Sequence, residues 1–225
     1  MSIAILVSVH DGIVLASDSA SSVMLTDPQG RRGVVTVYNN ANKICNLVKG
    51  KPIGCIAFGS GSIGNASVAT LLKDFRRKLT EEPRAVGVDP QQYTIEQVAQ
   101  SLGDFLAAEC RRAWPEGPKP FVGLFLAGYS SGENLGEAWA VKIVDGVAES
   151  PAILRKKEEV GINWGGEGEA IHRLVLGFSE RLPEVLRQAM NLTDPAQQRP
   201  VLATLRSALQ APIVFSPMPI QDAID

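Results

Sequence analysis

The stretch that decides the fold lies at the start of the chain and reads Ser2-Ile3-Ala4-Ile5-Leu6-Val7-Ser8-Val9-His10-Asp11-Gly12-Ile13-Val14-Leu15-Ala16-Ser17-Asp18. It predicts two strands joined by a tight turn, because Asp11-Gly12 is a strong hairpin signal in which Gly takes a positive φ. The first strand is apolar at nearly every position, which is typical of a strand covered on both faces. Since this strand starts next to Met1, the sequence predicts that Ser2 lies inside the fold.

The composition of the chain is that of a globular domain with a sizeable core. It has 225 residues, of which 45% are hydrophobic and 20% are charged, and we expect a single domain over residues 1–225. The net charge of −2 gives no reason to expect nucleic acid or an anionic membrane as the main partner. No apolar run approaches the roughly 20 residues of a spanning helix, and the start lacks the features of a signal peptide. We therefore expect a cytoplasmic protein.

The cysteines and histidines are few. Cys45, Cys55 and Cys110 are odd in number and lack CxxC spacing, which argues against both a disulfide framework and a zinc site. Buried thiols in two strands and a helix are the plainer interpretation. His10 and His172 are the only histidines, so a His-based triad or metal cage has few candidates.

The order of predicted elements is strands, two helices, strands, two helices. Such blocks favour an α+β fold with antiparallel sheets over alternating βαβ units. Two sheets packed face to face, with a helix layer outside each, explain strands that are apolar on both sides. In detail, residues 19–33 read as irregular, a helix follows Gly64, Thr94-Ile95-Glu96-Gln97 opens a second helix with a capping box, and one long helix covers 169–190 with Pro183 as its kink.

A glycine pattern follows the strand predicted at 53–58. Gly59, Gly61 and Gly64 fit the dinucleotide-binding fingerprint G-x-G-x-x-G. That fingerprint requires a parallel strand after the helix, whereas here the helix leads through Glu82-Pro83 into another helix. Dinucleotide binding is therefore disfavoured. These glycines instead let backbone N–H groups approach a ligand or a developing negative charge.

Two charged residues lie at the ends of apolar strands. Asp18 ends the second strand, and Lys43 begins the strand predicted at 43–48. A charge at the edge of buried strands usually needs a partner. The alternative is that each side chain simply points to solvent.

The arrangement of these residues resembles the proteasome β-subunit superfamily of N-terminal-nucleophile hydrolases. The similarity covers roughly residues 2–80 and lies closest to the bacterial Anbu-type homologues, the ancestral-type β-subunits. Its most specific part is Gly12-Ile13-Val14-Leu15-Ala16-Ser17-Asp18, because the spacing from Ser2 to Asp18 equals that from the family's nucleophile to its aspartate. The resemblance implies the four-layer αββα sandwich of this family.

The resemblance also implies a site and a reaction. Ser2 takes the place of the nucleophilic threonine, Asp18 and Lys43 those of the aspartate and lysine, and the Gly59 N–H that of the oxyanion donor. The implied reaction is hydrolysis of polypeptide substrates after removal of Met1, with no metal or organic cofactor. Family members form homo-oligomers, as rings or helical assemblies. The sequence does not indicate whether an ATP-driven unfoldase is a partner.

Several positions depart from the family pattern. The nucleophile is Ser rather than Thr, and the loop from Asp18 to Lys43 is longer than usual. Glu167 stands where a serine is expected to assist the terminal amine. The plainer interpretation of Glu167 and Glu169 is favourable charge at a helix N-terminus. An alternative function is a catalytically inactive, ring-forming structural subunit of the same fold. It is favoured by Ser in place of Thr, by Glu167 in place of Ser, and by the family's C-terminal part that this sequence lacks.

The end of the sequence provides a further expectation. Residues 219–225 resemble the start of the family's fourth core helix. The rest of that helix, the last strands and an aspartate of the family pattern are not in this sequence, so we expect either that the sequence stops short of the whole domain or that the domain is incomplete.

Overall fold

The computed structural model describes residues 2–26, 32–190 and 194–225. Met1 and the predicted turn at 27–30 lie outside the described residues. The strands in chain order are β1 (Ile3–Val9), β2 (Gly12–Ser17), β3 (Ser21–Thr26), β4 (Arg32–Tyr38), β5 (Ile44–Asn46), β6 (Ile53–Gly59), β7 (Ser62–Ile63), β8 (Ala66–Ser67), β9 (Val122–Gly128), β10 (Glu137–Val144), β11 (Val147–Ala148), β12 (Ala152–Arg155) and β13 (Gly161–Gly166).

The helices pack mostly in two groups, one from the middle of the chain and one from its last third. They are α1 (Val68–Glu81), α2 (Ile95–Ala113), α3 (Glu169–Leu176), α4 (Leu182–Ala189), α5 (Pro195–Leu209) and α6 (Ile220–Ile224), with a short 3₁₀ helix at Pro83–Val86. Within the described residues, no helix is both long and apolar enough to cross a bilayer.

The smaller of the two main sheets has the antiparallel order β13-β1-β2, with β1 in the centre. One face of β1 carries Ala4 and Leu6, which are fully buried. The other face carries Ile3 and Ile5, which pack against the apolar side of α3. Both faces of β1 are therefore covered, as its sequence predicts.

The hairpin of β1 and β2 is confirmed, but the role predicted for Gly12 is wrong. His10 and Asp11 form the turn, and Gly12 is the first residue of β2, paired with Val9. Gly12 has no positive φ. Instead, a Cβ at this position would lie 2.5 Å from the Cδ1 atom of Ile220. The glycine thus provides space for α6 to pack on the hairpin.

The larger sheet has the antiparallel order β11-β10-β9-β6-β5, and β12 also pairs with β10. Its core side packs against α1 and α2 through fully buried residues such as Phe75, Leu102 and Leu124. The predicted capping box that begins α2 is present, since Thr94 and Gln97 bond reciprocally to each other's backbone N–H. An α+β fold with antiparallel sheets is therefore confirmed.

A second apolar cluster joins the two sheets. It contains Leu6 from β1, Ile56 and Phe58 from β6, and Phe125 from β9. A third cluster lies on the far side of β1 and β13, where Ile171 and Val175 of α3 pack. The apolar residues of β1 and β6 are thus shared between neighbouring clusters, which fixes the two sheets relative to their helices.

Three predicted element boundaries are wrong. Residues 21–26 are not irregular, because β3 pairs with β4 in an antiparallel hairpin. The helix after Gly64 starts only at Val68, since β7 and β8 form a small hairpin first. The predicted helix at 169–190 is two helices, and its break lies at Gly177, which takes a φ of 77° at the end of α3, whereas Pro183 lies in the first turn of α4.

Candidate active site

The register of the first hairpin brings Asp18 next to the start of β1. Ala4 pairs with Ser17, the last residue of β2, so Asp18, which follows it, comes next to Ile3. The Ile3 N–H donates to Asp18 Oδ1 at 2.7 Å, and the Ala20 N–H donates to Oδ2 at 3.2 Å. Two backbone donors therefore fix the orientation of this carboxylate.

Lys43 reaches the same carboxylate from the larger sheet. Its carbonyl accepts from the Ala57 N–H at 3.0 Å, which continues the pairing of β5 with β6. Its Nζ donates to both oxygens of Asp18 at 2.9 Å and to the Ala20 carbonyl at 2.6 Å. The Lys43 side chain is only 10% exposed. Asp18 and Lys43 are thus each other's partners, and the interpretation that each points to solvent is wrong.

The surroundings of Asp18 favour its ionised form. Burial raises the pKa of this carboxyl, but the Ile3 N–H, the Lys43 hydrogen bond and charge, and the Ala20 N–H together lower it below its ordinary value of 3.8. The carboxylate is therefore charged at neutral pH and forms a true ion pair with Lys43.

Ser2 is anchored through its backbone between β1 and β13. Its carbonyl accepts from the Glu167 N–H at 2.7 Å. Gly166 permits this contact, because its φ is +85° and a Cβ there would overlap the Ser2 carbonyl oxygen. The close approach fixes where the residue after Met1 enters the fold.

Ser2 and Lys43 lie on the wall of one cavity of about 300 Å³. Gly59 lines it as well, together with polar residues such as Ser21 and Asn42 and apolar ones such as Leu72. Asp18 does not line the cavity and lies behind Lys43. The structure thus brings together four residues that are distant in sequence, namely Ser2, Asp18, Lys43 and Gly59.

Gly59 ends β6 in a conformation that suits glycine. Its φ is +87°, and a Cβ would lie 2.8 Å from the Phe121 carbonyl oxygen. The Ala57 N–H points to the β5 edge, and strand alternation directs the Gly59 N–H to the same edge. The three-residue strand β5 does not extend as far as Gly59, which lines the cavity at this end of β6.

Glu167 does not join this group. Its backbone N–H binds Ser2, but the residue is exposed and does not line the cavity. Glu169 begins α3 and accepts from the Glu180 N–H at 2.8 Å, Ser179 Oγ at 3.1 Å and Arg173 Nε at 2.6 Å. These hydrogen bonds lower the pKa of Glu169 to about 2. The bond from Arg173 has the largest effect, followed by those from Glu180 and Ser179. The helix-terminus interpretation therefore fits Glu169.

Sequence reasoning missed the contributions of the segment after Asp18. The Ala20 carbonyl holds Lys43, and Ser21 and Ser22 of β3 line the cavity. The available signal was the apolar run at 23–25, which precedes a turn signal at 27–30 and is typical of a hairpin strand. The carbonyl contact itself has no signal in a sequence.

No family model and no curated protein matches this chain. Within the described residues, no group of three or more His, Cys, Asp or Glu side chains is arranged to hold a metal ion.

Proposed function

We propose that this chain is a proteasome β-subunit-like N-terminal-nucleophile hydrolase in which Ser2, freed by removal of Met1, hydrolyses peptide bonds. One observation carries the proposal. Lys43 Nζ is held by Asp18 and by the Ala20 carbonyl on the wall of the cavity that Ser2 also lines. A serine hydroxyl is a weak nucleophile, and a nearly buried cation that lines the same cavity as Ser2 can help to activate it.

The proposed reaction uses the terminal amine as the base. A serine hydroxyl is a weak nucleophile, whereas an α-amine with a reference pKa of about 8 can accept its proton near neutral pH. Ser2 Oγ attacks the substrate carbonyl carbon, and the amine passes the proton to the departing substrate nitrogen. Water then hydrolyses the acyl ester on Ser2 by the same route.

Lys43 and Gly59 have separate roles in this proposal. The positive charge of Lys43 favours the developing alkoxide of Ser2, and Asp18 orients that charge. The Gly59 N–H stabilises the oxyanion of the tetrahedral intermediate. Removing one such donor costs roughly 3 kcal/mol in enzymes where it has been measured.

The packing supports the four-layer αββα sandwich proposed for the fold. The first apolar cluster joins α1 and α2 to the larger sheet, the second joins the two sheets, and the third joins the smaller sheet to α3. A four-layer sandwich needs three such apolar interfaces, one between helices and sheet on each side and one between the two sheets. The same proposal includes polypeptide substrates and assembly into a ring or a helical homo-oligomer.

The alternative function is an inactive, ring-forming structural subunit, and Glu167 favours it. The family pattern expects a serine hydroxyl near the terminal amine at this position, whereas Glu167 is exposed and outside the cavity lining. In the active enzyme the amine would then depend on water or on another residue for its proton transfers.

Intact mass and a peptidase assay on freshly purified protein test the proposal. We expect a mass without Met1 and hydrolysis of an unstructured polypeptide that is lost in Ser2→Ala. Ser8→Ala is the matched control, since Ser8 lies on the same strand but outside the cavity that Ser2 lines. Retention of Met1, or equal hydrolysis by Ser2→Ala, would overturn the proposal. Complete removal of Met1 without any hydrolysis would favour the structural subunit.

A further inference from the structure

Two cysteines lie directly opposite each other on neighbouring strands. Cys45 of β5 pairs with Cys55 of β6 in the antiparallel register, and both thiols are free. Directly opposed residues project to the same face of a sheet. Both side chains accordingly contribute to the apolar cluster under α1 and α2.

The backbone places the two cysteines within bonding reach. The Ala57 N–H donates to the Lys43 carbonyl, and the Leu47 N–H donates to the Ile53 carbonyl. Since hydrogen-bonded pairs alternate along the two strands, the Cys45–Cys55 pair between them is also a hydrogen-bonded pair. Such pairs have Cα atoms about 5.5 Å apart. Disulfides span Cα distances of about 4.4–6.8 Å. The Cα separation of the Cys45–Cys55 pair is therefore within the range that a cross-strand disulfide spans.

The two thiols differ in access. Cys55 is fully buried, whereas Cys45 is only half-buried. Burial raises the pKa of the Cys45 thiol, and the positive charges of Lys73 and Arg76 on α1 oppose that rise. These two cations also attract an anionic reagent to the Cys45 side of the pair.

We propose that Cys45 and Cys55 are a thiol modification site that forms a reversible cross-strand disulfide with a small anionic disulfide such as oxidised glutathione. The Cys45 thiolate attacks the reagent, forming a mixed disulfide and releasing one glutathione thiolate. The Cys55 sulfur then attacks the Cys45 sulfur, and its proton passes to the departing second glutathione thiolate. In sum, two protein thiols are oxidised and one reagent disulfide is reduced to two thiols.

The disulfide would join the edge strand β5 to β6 close to Lys43. β5 has only three residues and begins directly after Lys43, so a bond at Cys45 fixes the backbone next to that side chain. Because the Cβ atoms of a hydrogen-bonded pair are wider apart than a disulfide prefers, the bond is strained and easily reduced. The cross-link does not depend on whether Ser2 is a nucleophile.

Peptide mapping of the folded protein after treatment with oxidised glutathione tests this inference. Trypsin cuts after Lys49, between the two cysteines, and does not cut before Pro52. In the Cys110→Ser variant we expect peptides 44–49 and 50–73 to be joined without reduction, with a protein mass lower by about 2 Da from the loss of two hydrogens. A mild reducing thiol should separate them.

The Cys45→Ser variant is the matched control, because it removes only the accessible thiol. We expect its joined peptide to fall at least tenfold, and its circular dichroism spectrum shows whether it folds. Lasting glutathionylation of Cys45 without closure, or a pair that reacts only after denaturation, would overturn the inference.

Discussion

At the scale of single residues, one carboxylate connects three segments of the chain. Asp18 accepts from Ile3 in β1, from Ala20 in the segment after β2, and from Lys43 directly before β5. Its side chain is 29% exposed, so its bonds are partly shielded from water. Hydrogen bonds to a charged group contribute more than neutral ones, which makes this residue the most sensitive point of the site.

Replacing Asp18 should lower stability at neutral pH and change its pH dependence. We expect Asp18→Asn to cost about 2 kcal/mol of unfolding free energy, since Lys43 loses its charged acceptor. The folded-state pKa of Asp18 is below its ordinary value, so the stabilisation is complete above that value and is lost as the pH falls through the folded pKa. The measurement is the unfolding free energy from urea titrations at several pH values from neutral to below about pH 4. Over this range it should fall more for the wild type than for the variant.

Asp74→Asn is the control for that experiment. Asp74 pairs with Arg77 at 3.5 Å on the exposed side of α1, and such a pair contributes under about 1 kcal/mol. An equal loss of stability in both variants would contradict the special environment of Asp18.

Replacing Lys43 tests its chemical role. In the hydrolase proposal, Lys43→Met should lower the rate of peptide hydrolysis by at least about 100-fold, because the alkoxide of Ser2 loses its counter-charge. Lys49→Met is the matched control, since Lys49 is exposed and outside the cavity, and it should keep the wild-type rate. A folded Lys43→Met protein with unchanged turnover would show that this cation does not act on Ser2.

At this scale the family resemblance selected Ser2, Asp18, Lys43 and Gly59, and the structure assembles all four. The positions of Asp18 and Lys43 at the ends of apolar strands indicated that each usually needs a partner, and the resemblance placed the two in one site. The Ala20 carbonyl could not, because a backbone acceptor is present at every residue and only the folded chain shows which one faces Lys43.

At the scale of elements, β13 holds the start of β1 through a close backbone approach. Gly166 and Gly132 both have positive φ values, +85° and +80°. A Cβ at Gly166 would overlap the Ser2 carbonyl, whereas nothing lies within 4 Å of one at Gly132. The two glycines therefore separate the effect of backbone conformation from the effect of close packing.

Alanine at each of these glycines gives a matched comparison. We expect Gly132→Ala to cost about 1 kcal/mol from its backbone conformation alone. Gly166→Ala should cost at least about 2 kcal/mol more, because Ser2 must move away. Equal midpoints in urea unfolding would mean that β13 does not hold Ser2 as described.

Elements with strong local signals could be predicted from the sequence, and elements decided by tertiary packing could not. The β1–β2 hairpin and the start of α2 follow from apolar patterns and a capping box. The helices α3 and α4 read as one, because their apolar residues keep a helical period across Gly177. Gly177 nevertheless ends α3 in the left-handed conformation that glycine commonly takes at a helix C-terminus.

At the scale of the whole molecule, the site exists because two sheets pack against each other. Ser2 and Asp18 lie directly before β1 and directly after β2 of the smaller sheet. Lys43 directly precedes β5, and Gly59 ends β6, in the larger sheet. The block order of strands and helices predicted the α+β class, since sequential strands usually pair. It could not give the strand order β11-β10-β9-β6-β5, which depends on contacts between distant segments.

The most direct test of the central claim is the mass of the protein after treatment with a peptide epoxyketone. This reagent has two electrophilic carbons, one for a hydroxyl and one for an adjacent free amine, so a full adduct requires both groups at one residue. We predict a protein without Met1 that carries one inhibitor molecule on Ser2, and no adduct in Ser2→Ala. A protein that lacks Met1 and stays unlabelled would contradict the claim that Ser2 is an N-terminal nucleophile.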